Sequence, residues 1–171
     1  MTKSLRILKW EIFPIGLILV LTFFRLFPHP PNFTPIIAVA ILSSYFFKNI
    51  YLSIITLLAS MLLSDALLGF HQNLFFVYFS LCTITFTFFT VSKKINYKNL
   101  FIYGFFGSLI FYLISNFGVW ALQDLYEKNL NGLISCYFFA IPFFKNTLLS
   151  TIIFSYAALF VNNIYLKRIA Q

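Results

Sequence analysis

The chain has 171 residues, of which 61% are hydrophobic and only 9% are charged, and its mean hydropathy is +0.91. Because soluble domains carry about a quarter charged residues, this composition excludes an ordinary soluble domain and predicts an all-α integral membrane protein. The net charge of +8 does not indicate nucleic-acid binding, since the basic residues fall in short segments between apolar runs, as membrane orientation requires. We therefore expect the lipid bilayer as a partner and no nucleic acid.

Six apolar segments follow one another, and we predict that they form a single transmembrane domain over residues 1–171. The first begins with basic residues, like a signal peptide. It lacks a small-residue cleavage site and ends near Arg25, so we expect it to remain as the first membrane helix. The predicted helices cover residues 10–27, 35–47, 51–68, 74–92, 100–117 and 147–165.

A proline-rich segment, Pro28–Thr34, separates the first two helices, and we call it the strap. Four prolines in eight residues, counted to Pro35, cannot continue a helix and favour stiff, extended backbone. The following helix, residues 35–47, would be only about 20 Å long against a hydrocarbon core of roughly 30 Å. We therefore expect the strap to lie below the outer interface, where irregular backbone is tolerated if it lines a wet cavity.

The longest interruption, Gly118–Lys145, precedes the last helix. Val119–Asn131 has an apolar and a polar face, which predicts a helix lying along the membrane surface and ending at Asn131-Gly132. The apolar run that follows, Leu133–Ile141, is short and is broken by Pro142. We therefore predict a half-inserted hairpin, with Asn146-Thr147 capping the start of the last helix.

The distribution of basic residues predicts the orientation. Six spans with the N-terminus inside place both termini in the cytoplasm and nine of the twelve basic residues on that side. These nine are Lys3, Arg6, Lys9, Lys48, Lys93, Lys94, Lys98, Lys167 and Arg168, which leaves Arg25, Lys128 and Lys145 outside.

Asp65 is the main candidate for a functional residue, because an ionisable group about two-thirds of the way up the third helix is costly there. Two readings stay open. Asp65 pairs with Arg25 and ties two helices together, or it belongs to a solute site. In the second case Asp65→Asn would weaken ligand retention more than folding. His29 and His71 could complete a metal site with Asp65, but nothing fixes their spacing, so we expect no metal.

Other polar residues also fall in the outer half, around the short second helix. The predicted ligand-binding residues are Arg25, His29, Asn32, Asp65, His71, Asn116, Trp120, Lys145 and Asn146. Taken singly, the asparagines could cap helix ends and Trp120 could be an interfacial residue.

Small residues indicate where helices approach closely, in the patterns Ala40-x-x-x-Ser44 and Gly104-x-x-x-Ser108 with neighbouring Gly107. Internal packing is the default reading, and a docking face for another membrane protein is the alternative. Cys82 and Cys136 lie in apolar segments and lack the spacing of metal ligands, so we expect neither a zinc site nor a disulfide framework. There is no phosphate-binding loop and no hydrolase or metalloprotease motif, so we expect no enzyme and no cofactor.

Four runs resemble a family of bacterial six-helix membrane proteins that is described as a family of transport proteins. That family is similar to the substrate-binding S components of energy-coupling-factor (ECF) vitamin transporters. The runs are Arg25–Pro35, Ser64–Gly69, Asn116–Trp120 and Cys136–Leu149. The chain departs from the family pattern at Ser43-Ser44, where Gly-Gly is usual, and at Ser150-Thr151, where Gly-Asp is usual.

The resemblance implies a multi-pass protein of the bacterial cytoplasmic (inner) membrane with a solute pocket near the outer face, gated by the strap. It implies a small vitamin-like or polar organic solute, and a transmembrane coupling protein with ATPase subunits as a further partner. Mixed charges among the candidate residues point to a zwitterionic or polar aromatic ligand. The rival function is a non-transporting scaffold subunit of a cell-envelope complex, because cell-wall-assembly proteins reuse this architecture.

Overall fold

A computed structural model describes residues 11–91 and 95–169 of the chain. Within these ranges the chain forms six α-helices and no strand. A short 3-10 turn, Phe24–Leu26, extends the first helix. The helices are α1 (Ile12–Phe23), α2 (Ile36–Phe46), α3 (Ile50–Leu68), α4 (Leu74–Val91), α5 (Tyr97–Leu122) and α6 (Leu130–Ile169).

Four of these helices, α3 to α6, are long and apolar enough to cross a membrane, while α1 and α2 are shorter apolar helices. The exposed side chains of the long helices are largely Phe, Leu and Ile, as expected for a surface that faces lipid. The predicted all-α class is therefore confirmed for the described residues, and their character is that of an integral membrane protein.

The short helix α2 lies at the centre of the bundle and packs against all five other helices. Every residue from Ile37 to Ser44 is buried. Hydroxyl groups of the neighbouring helices bond to its backbone, from Ser53 to the Ser43 carbonyl at 3.0 Å and from Thr85 to the Ala40 carbonyl at 3.2 Å. A helix surrounded by protein on all sides does not have to match the thickness of the bilayer, which explains how α2 can have only 11 residues.

The small residues on α5 serve internal packing, which was the default prediction. A Cβ atom on Gly107 would lie 3.1–3.2 Å from side-chain atoms of Ile41 and Ile37 on α2. A Cβ atom on Gly104 would make ordinary contacts of 3.6 Å with Thr151 and Ile152 on α6. Gly107 thus allows the close approach of α5 to α2, whereas Gly104 faces α6 with room for a Cβ atom.

The bounds of α2, α3 and α4 agree with the prediction to within one or two residues. Gly69 ends α3 with a φ of 97°, and its N–H donates to the Asp65 carbonyl at 2.8 Å, as expected of a glycine cap. The predicted start of the first helix at Trp10 and end of the fourth at Ser92 lie outside the described residues. So do five of the basic residues used to predict orientation: Lys3, Arg6, Lys9, Lys93 and Lys94.

The predicted half-inserted hairpin is wrong. Residues 130–169 form one continuous helix that contains Pro142, and Asn146-Thr147 lie inside it rather than at its start. The reason is the antiparallel pairing of α6 with α5, which continues on both sides of the proline. Before it, the Tyr137 hydroxyl donates to the Leu113 carbonyl at 2.6 Å, and after it, Ser108 Oγ lies 3.3 Å from Thr151 Oγ1. Such contacts hold a membrane helix together across a proline.

The predicted surface helix over residues 119–131 is also wrong. Its first four residues continue α5, and the loop between α5 and α6 covers residues 123–129. The Lys128 ammonium group donates to the carbonyls of Trp120 and Gln123 at the C-terminal end of α5, where a cation is favourable. Asn129 starts α6, because its Oδ1 accepts from the Gly132 N–H at 2.8 Å.

The strap is less extended than predicted. The Phe33 N–H donates to the Pro30 carbonyl at 3.0 Å, and Asn32 between them has a φ of 60°. Proline at the second position and a positive-φ asparagine at the third are typical of a type II turn. The strap therefore folds back on itself instead of running straight between α1 and α2.

Candidate functional site

A cavity of about 460 Å³ lies under the strap and is bounded by residues from four helices. This volume falls in the range of roughly 300–1,000 Å³ that is usual for small-molecule sites. Five of the nine predicted ligand-binding residues line it: Arg25, His29, Asn32, His71 and Asn116. The rest of the wall consists of Thr34, Ile36, Leu68, Asn73, Val77, Phe111, Ser115 and Val119.

Arg25 reaches the cavity from the 3-10 turn after α1 and is held from behind by α3. Its Nη2 lies 2.7 Å from Asp65 Oδ1, and its Nη1 donates to Ser64 Oγ and, at 3.5 Å, to Met61 Sδ. The contact with Asp65 is an ion pair by its distance. It is not aligned as a hydrogen bond, and Asp65 Oδ1 accepts no hydrogen bond from the described residues. The Arg25 side chain is 12% exposed, whereas that of Asp65 is 1% exposed.

Asp65 consequently lies behind the cavity wall and not in it. Its second oxygen, Oδ2, accepts a hydrogen bond from the Tyr78 hydroxyl on α4 at 2.7 Å. The carboxylate thus joins α3 to α4 and to the end of α1. Of the two readings that the sequence left open, the Arg25–Asp65 pair is present, and Asp65 has no surface in the cavity.

Asn73 is a wall residue that the sequence analysis missed. It immediately precedes α4, and its Nδ2 donates to the Ser115 carbonyl on α5 at 2.9 Å, so it fixes the start of α4 against α5. A Cβ atom on Gly118 would lie only 2.1 Å from Asn73 Oδ1 and 2.4 Å from Phe76 Cγ. A glycine at position 118 is therefore required for this approach. The only signal in the sequence was an asparagine just before a helix, which indicates a cap and not a wall residue.

The strap is tied to the middle of α6. Asn146 Nδ2 donates to the Pro31 carbonyl at 3.0 Å, and Thr147 Oγ1 lies 3.5 Å from the Asn32 carbonyl. Asn146 lies about 24 Å along α6 from its first residue, Leu130. The strap thus contacts the α5–α6 hairpin far below the loop that closes it, and the cavity lies at this level. Asn146 positions the strap and does not line the cavity.

Two other predicted site residues, Trp120 and Lys145, also lie away from the cavity. Trp120 Nε1 donates to the Glu127 carbonyl at 3.0 Å, which holds the loop between α5 and α6. Lys145 lies on an exposed face of α6. Chain order and the predicted orientation had grouped both residues with the site, but they do not determine which way each side chain points.

The family assignment follows from a match that covers nearly the whole chain. A model described as a family of unknown function (DUF6580) matches residues 7–170. The chain belongs to this DUF6580 family. The matched range contains every residue of the cavity wall and the complete strap. No curated protein and no solved structure matches the chain.

The charge of the cavity wall in this DUF6580 member differs from the mixed charges predicted from the sequence. None of the wall residues is acidic, since Asp65 is covered by Arg25 and Tyr78. Ser150 and Thr151, which replace the Gly-Asp of the resembling family, are buried, and both hydroxyls bond to the Thr147 carbonyl. In the part of the chain that the structure describes, no three His, Cys, Asp or Glu side chains come together as metal ligands would.

Proposed function

We propose that the protein is the solute-binding subunit of a membrane transporter, similar in role to an S component. The observation that carries this proposal is the polar cavity under the strap. It brings together side chains from four separate parts of the chain: the end of α1, the strap, the α3–α4 connection and α5. Polar groups that converge on a cavity in an otherwise apolar bundle are costly unless they face water or a ligand.

The proposed placement in the bilayer has six spans, with both termini on the cytoplasmic side of a bacterial inner membrane. The described residues Lys48, Lys98, Lys167 and Arg168 then lie on the cytoplasmic side, in accordance with the positive-inside tendency. The cavity opens towards the outside, and the strap covers it from that side. Because α2 is only about 17 Å long, the strap lies within the thickness of the bilayer, where the α5–α6 hairpin shields it.

Uptake by such a subunit needs an energy source, and the chain has no nucleotide-binding motif of its own. A transmembrane coupling protein with ATPase subunits is therefore the proposed partner, and no catalytic step is assigned to this chain. Of the small residues that could support docking on α1, only Gly16 is present, and a Cβ atom there would meet nothing within 4 Å. Gly16→Leu tests this face, since it would weaken co-purification of a coupling protein without unfolding the chain.

The test of solute binding is native mass spectrometry of the protein purified in lipid nanodiscs. We expect one co-purified or added small molecule per chain, lost in Asn116→Leu, which removes polar atoms from the cavity wall at nearly constant volume. Lys145→Gln is the matched control, because Lys145 was a sequence candidate but lies outside the wall. Equal retention in both variants would contradict the proposed site.

A non-transporting scaffold is the second candidate, and one observation favours it. Much of the outer polar cluster is satisfied internally: Asp65 by Arg25 and Tyr78, and Asn146 by the strap. A scaffold needs this stability but no ligand. Purification of a stoichiometric protein complex, with no small molecule bound to either partner, would favour this alternative.

A further inference from the structure

A second cleft of about 320 Å³ adjoins the polar cavity on the other side of the strap. Its walls are mainly apolar and aromatic, and they come from the strap, α6, the end of α5 and the α5–α6 loop. The lining residues that matter here are Asn32, Asn116, Val119, Leu125, Phe139 and Phe143.

The cleft and the cavity share three lining residues, Asn32, Asn116 and Val119. The Nδ2 of Asn116 donates to the Tyr112 carbonyl at 2.8 Å, and its Oδ1 accepts no hydrogen bond from the described residues. The shared wall is therefore thin, with one side chain from the strap and two from α5. The cavity and the cleft therefore lie on the two sides of this wall.

The outer side of the cleft is apolar and open. Phe139 is 62% exposed and Phe143 is 42% exposed, and Leu125 on the loop is more exposed than either. Exposed aromatic side chains on a helix that is apolar enough to span a membrane belong to the surface that lipid covers. The cleft thus offers an apolar environment continuous with the bilayer.

The polar cavity, in contrast, is lined by basic and neutral polar side chains and carries no acidic group. Its titratable side chains are Arg25, His29 and His71. The charge of Arg25 is balanced by Asp65 from behind, and Asn32 and Thr34 add neutral polar groups. Such a wall suits an anionic group and gives a cationic one no carboxylate with which to pair.

We infer that the ligand of this site is an anionic amphiphile. Its carboxylate or phosphate head occupies the cavity under the strap, and its apolar part occupies the adjoining cleft between the strap and α6. This inference rests on the proposed solute-binding function and narrows the ligand class. It replaces the zwitterionic or polar aromatic ligand predicted from the sequence, whose basis was an acidic group in the wall. The same head and tail occur in membrane lipids and in free fatty-acid-like solutes.

The experiment uses the full chain in nanodiscs of phosphatidylcholine, with bound probes counted by native mass spectrometry. The probes are decanoate and decyl phosphate, with acetate and inorganic phosphate as heads without tails, and decyltrimethylammonium as a tail with a cationic head. We expect one decanoate or decyl phosphate per chain, binding at least tenfold weaker for the heads alone, and no specific binding of the cationic probe.

Two variants of neighbouring phenylalanines locate the tail. Phe139→Ala removes a wall of the cleft, and loss of about half a buried phenyl group should weaken decanoate binding roughly fivefold. Phe138→Ala is the matched control, because Phe138 is 66% exposed on the same helix but does not line the cleft. His71→Ala tests the head, and we expect it to weaken both anionic amphiphiles equally.

The outcomes separate this inference from the function on which it rests. A co-purified solute without an apolar part would overturn the inference of an amphiphilic ligand and leave the proposed solute binding intact. The same conclusion would follow if the cationic probe bound as well as the anionic ones, or if Phe139→Ala and Phe138→Ala had equal effects. Absence of any bound molecule would overturn both. A co-purified membrane lipid or a free carboxylate with an apolar chain would each support the inference, and the mass identifies the source.

Discussion

The buried ion pair between Arg25 and Asp65 gives the most direct test of the structure. Asp65→Asn removes the negative charge while keeping the size of the side chain. Removing one partner of a buried pair costs about 3–5 kcal/mol of unfolding free energy, because the other charge stays buried without compensation. Arg25 remains 12% exposed to the cavity, where water reduces this cost, so we place the loss for Asp65→Asn at the lower end of that range.

A double-mutant cycle measures the interaction energy between Arg25 and Asp65 apart from the contacts that each makes with other residues. Arg25→Met leaves Asp65, which is only 1% exposed, with the Tyr78 hydroxyl as its remaining contact, so this variant should be the less stable single. Replacing both residues, as Arg25→Met with Asp65→Asn, removes both charges and keeps an oxygen for the Tyr78 hydroxyl, so it should recover most of the stability that Arg25→Met loses. Tyr78→Phe should cost about 1.5–3 kcal/mol, the net value of a hydrogen bond to a charged group.

The assay is denaturant-induced unfolding in mixed micelles, followed by tryptophan fluorescence and repeated for every variant. The reasoning would be refuted if the double variant lost as much stability as the two singles together, because the charges would then be uncoupled. Ligand retention is measured on the same samples. We expect it to fall only as far as the folded fraction falls in Asp65→Asn, because Asp65 is outside the cavity wall. A larger fall would restore the direct ligand role that the sequence left open.

Three further variants, two of them with a matched control, test the contacts around the site. Gly118→Ala should destabilise the protein by several kcal/mol, because the new Cβ would lie 2.1–2.5 Å from side-chain atoms of Asn73 and Phe76. Its control, Gly104→Ala, has contacts of 3.6 Å and should be neutral or stabilising by up to about 1 kcal/mol. Asn129→Ala should cost about 1 kcal/mol through loss of the α6 cap, whereas exposed Asn131→Ala should change little in the same unfolding assay. Asn146→Ala should raise hydrogen exchange at the backbone amides of the strap and leave α2 unchanged.

Local sequence signals were sufficient to predict a helix boundary where a proline or a glycine at that position determines it. Pro35 starts α2, Gly69 ends α3, and the apolar runs between them are uninterrupted, so the predicted bounds were close. The same kind of signal failed in α6. Pro142 and Asn131-Gly132 are strong breakers in isolation, but pairing with α5 over most of its length holds the helix together, and no local pattern reports that pairing.

The candidate site was predictable only to the level of which end of the bundle it occupies. Topology places the strap, the α3–α4 connection and the end of α5 together, and five of the nine candidate residues line the cavity for that reason. The rotation of each helix about its axis depends on packing that the sequence does not show. Trp120 and Lys145 therefore do not line the cavity, and no local pattern indicated that the Tyr78 hydroxyl on α4 bonds to Asp65 on α3.

The site exists because the central helix is short and fully enclosed. A helix exposed to lipid has to span roughly 30 Å of hydrocarbon, but α2 reaches only about 17 Å, since its neighbours and not the bilayer surround it. In the proposed placement in the bilayer, the strap therefore descends to meet the first turn of α2. The cavity at that turn is closed by the strap, the α3–α4 connection and α5, and Asn146 on α6 holds the strap in place. Polar backbone and side chains at this depth are stable only next to water, protein or a ligand. In that placement, the cavity under the strap follows from the length of α2.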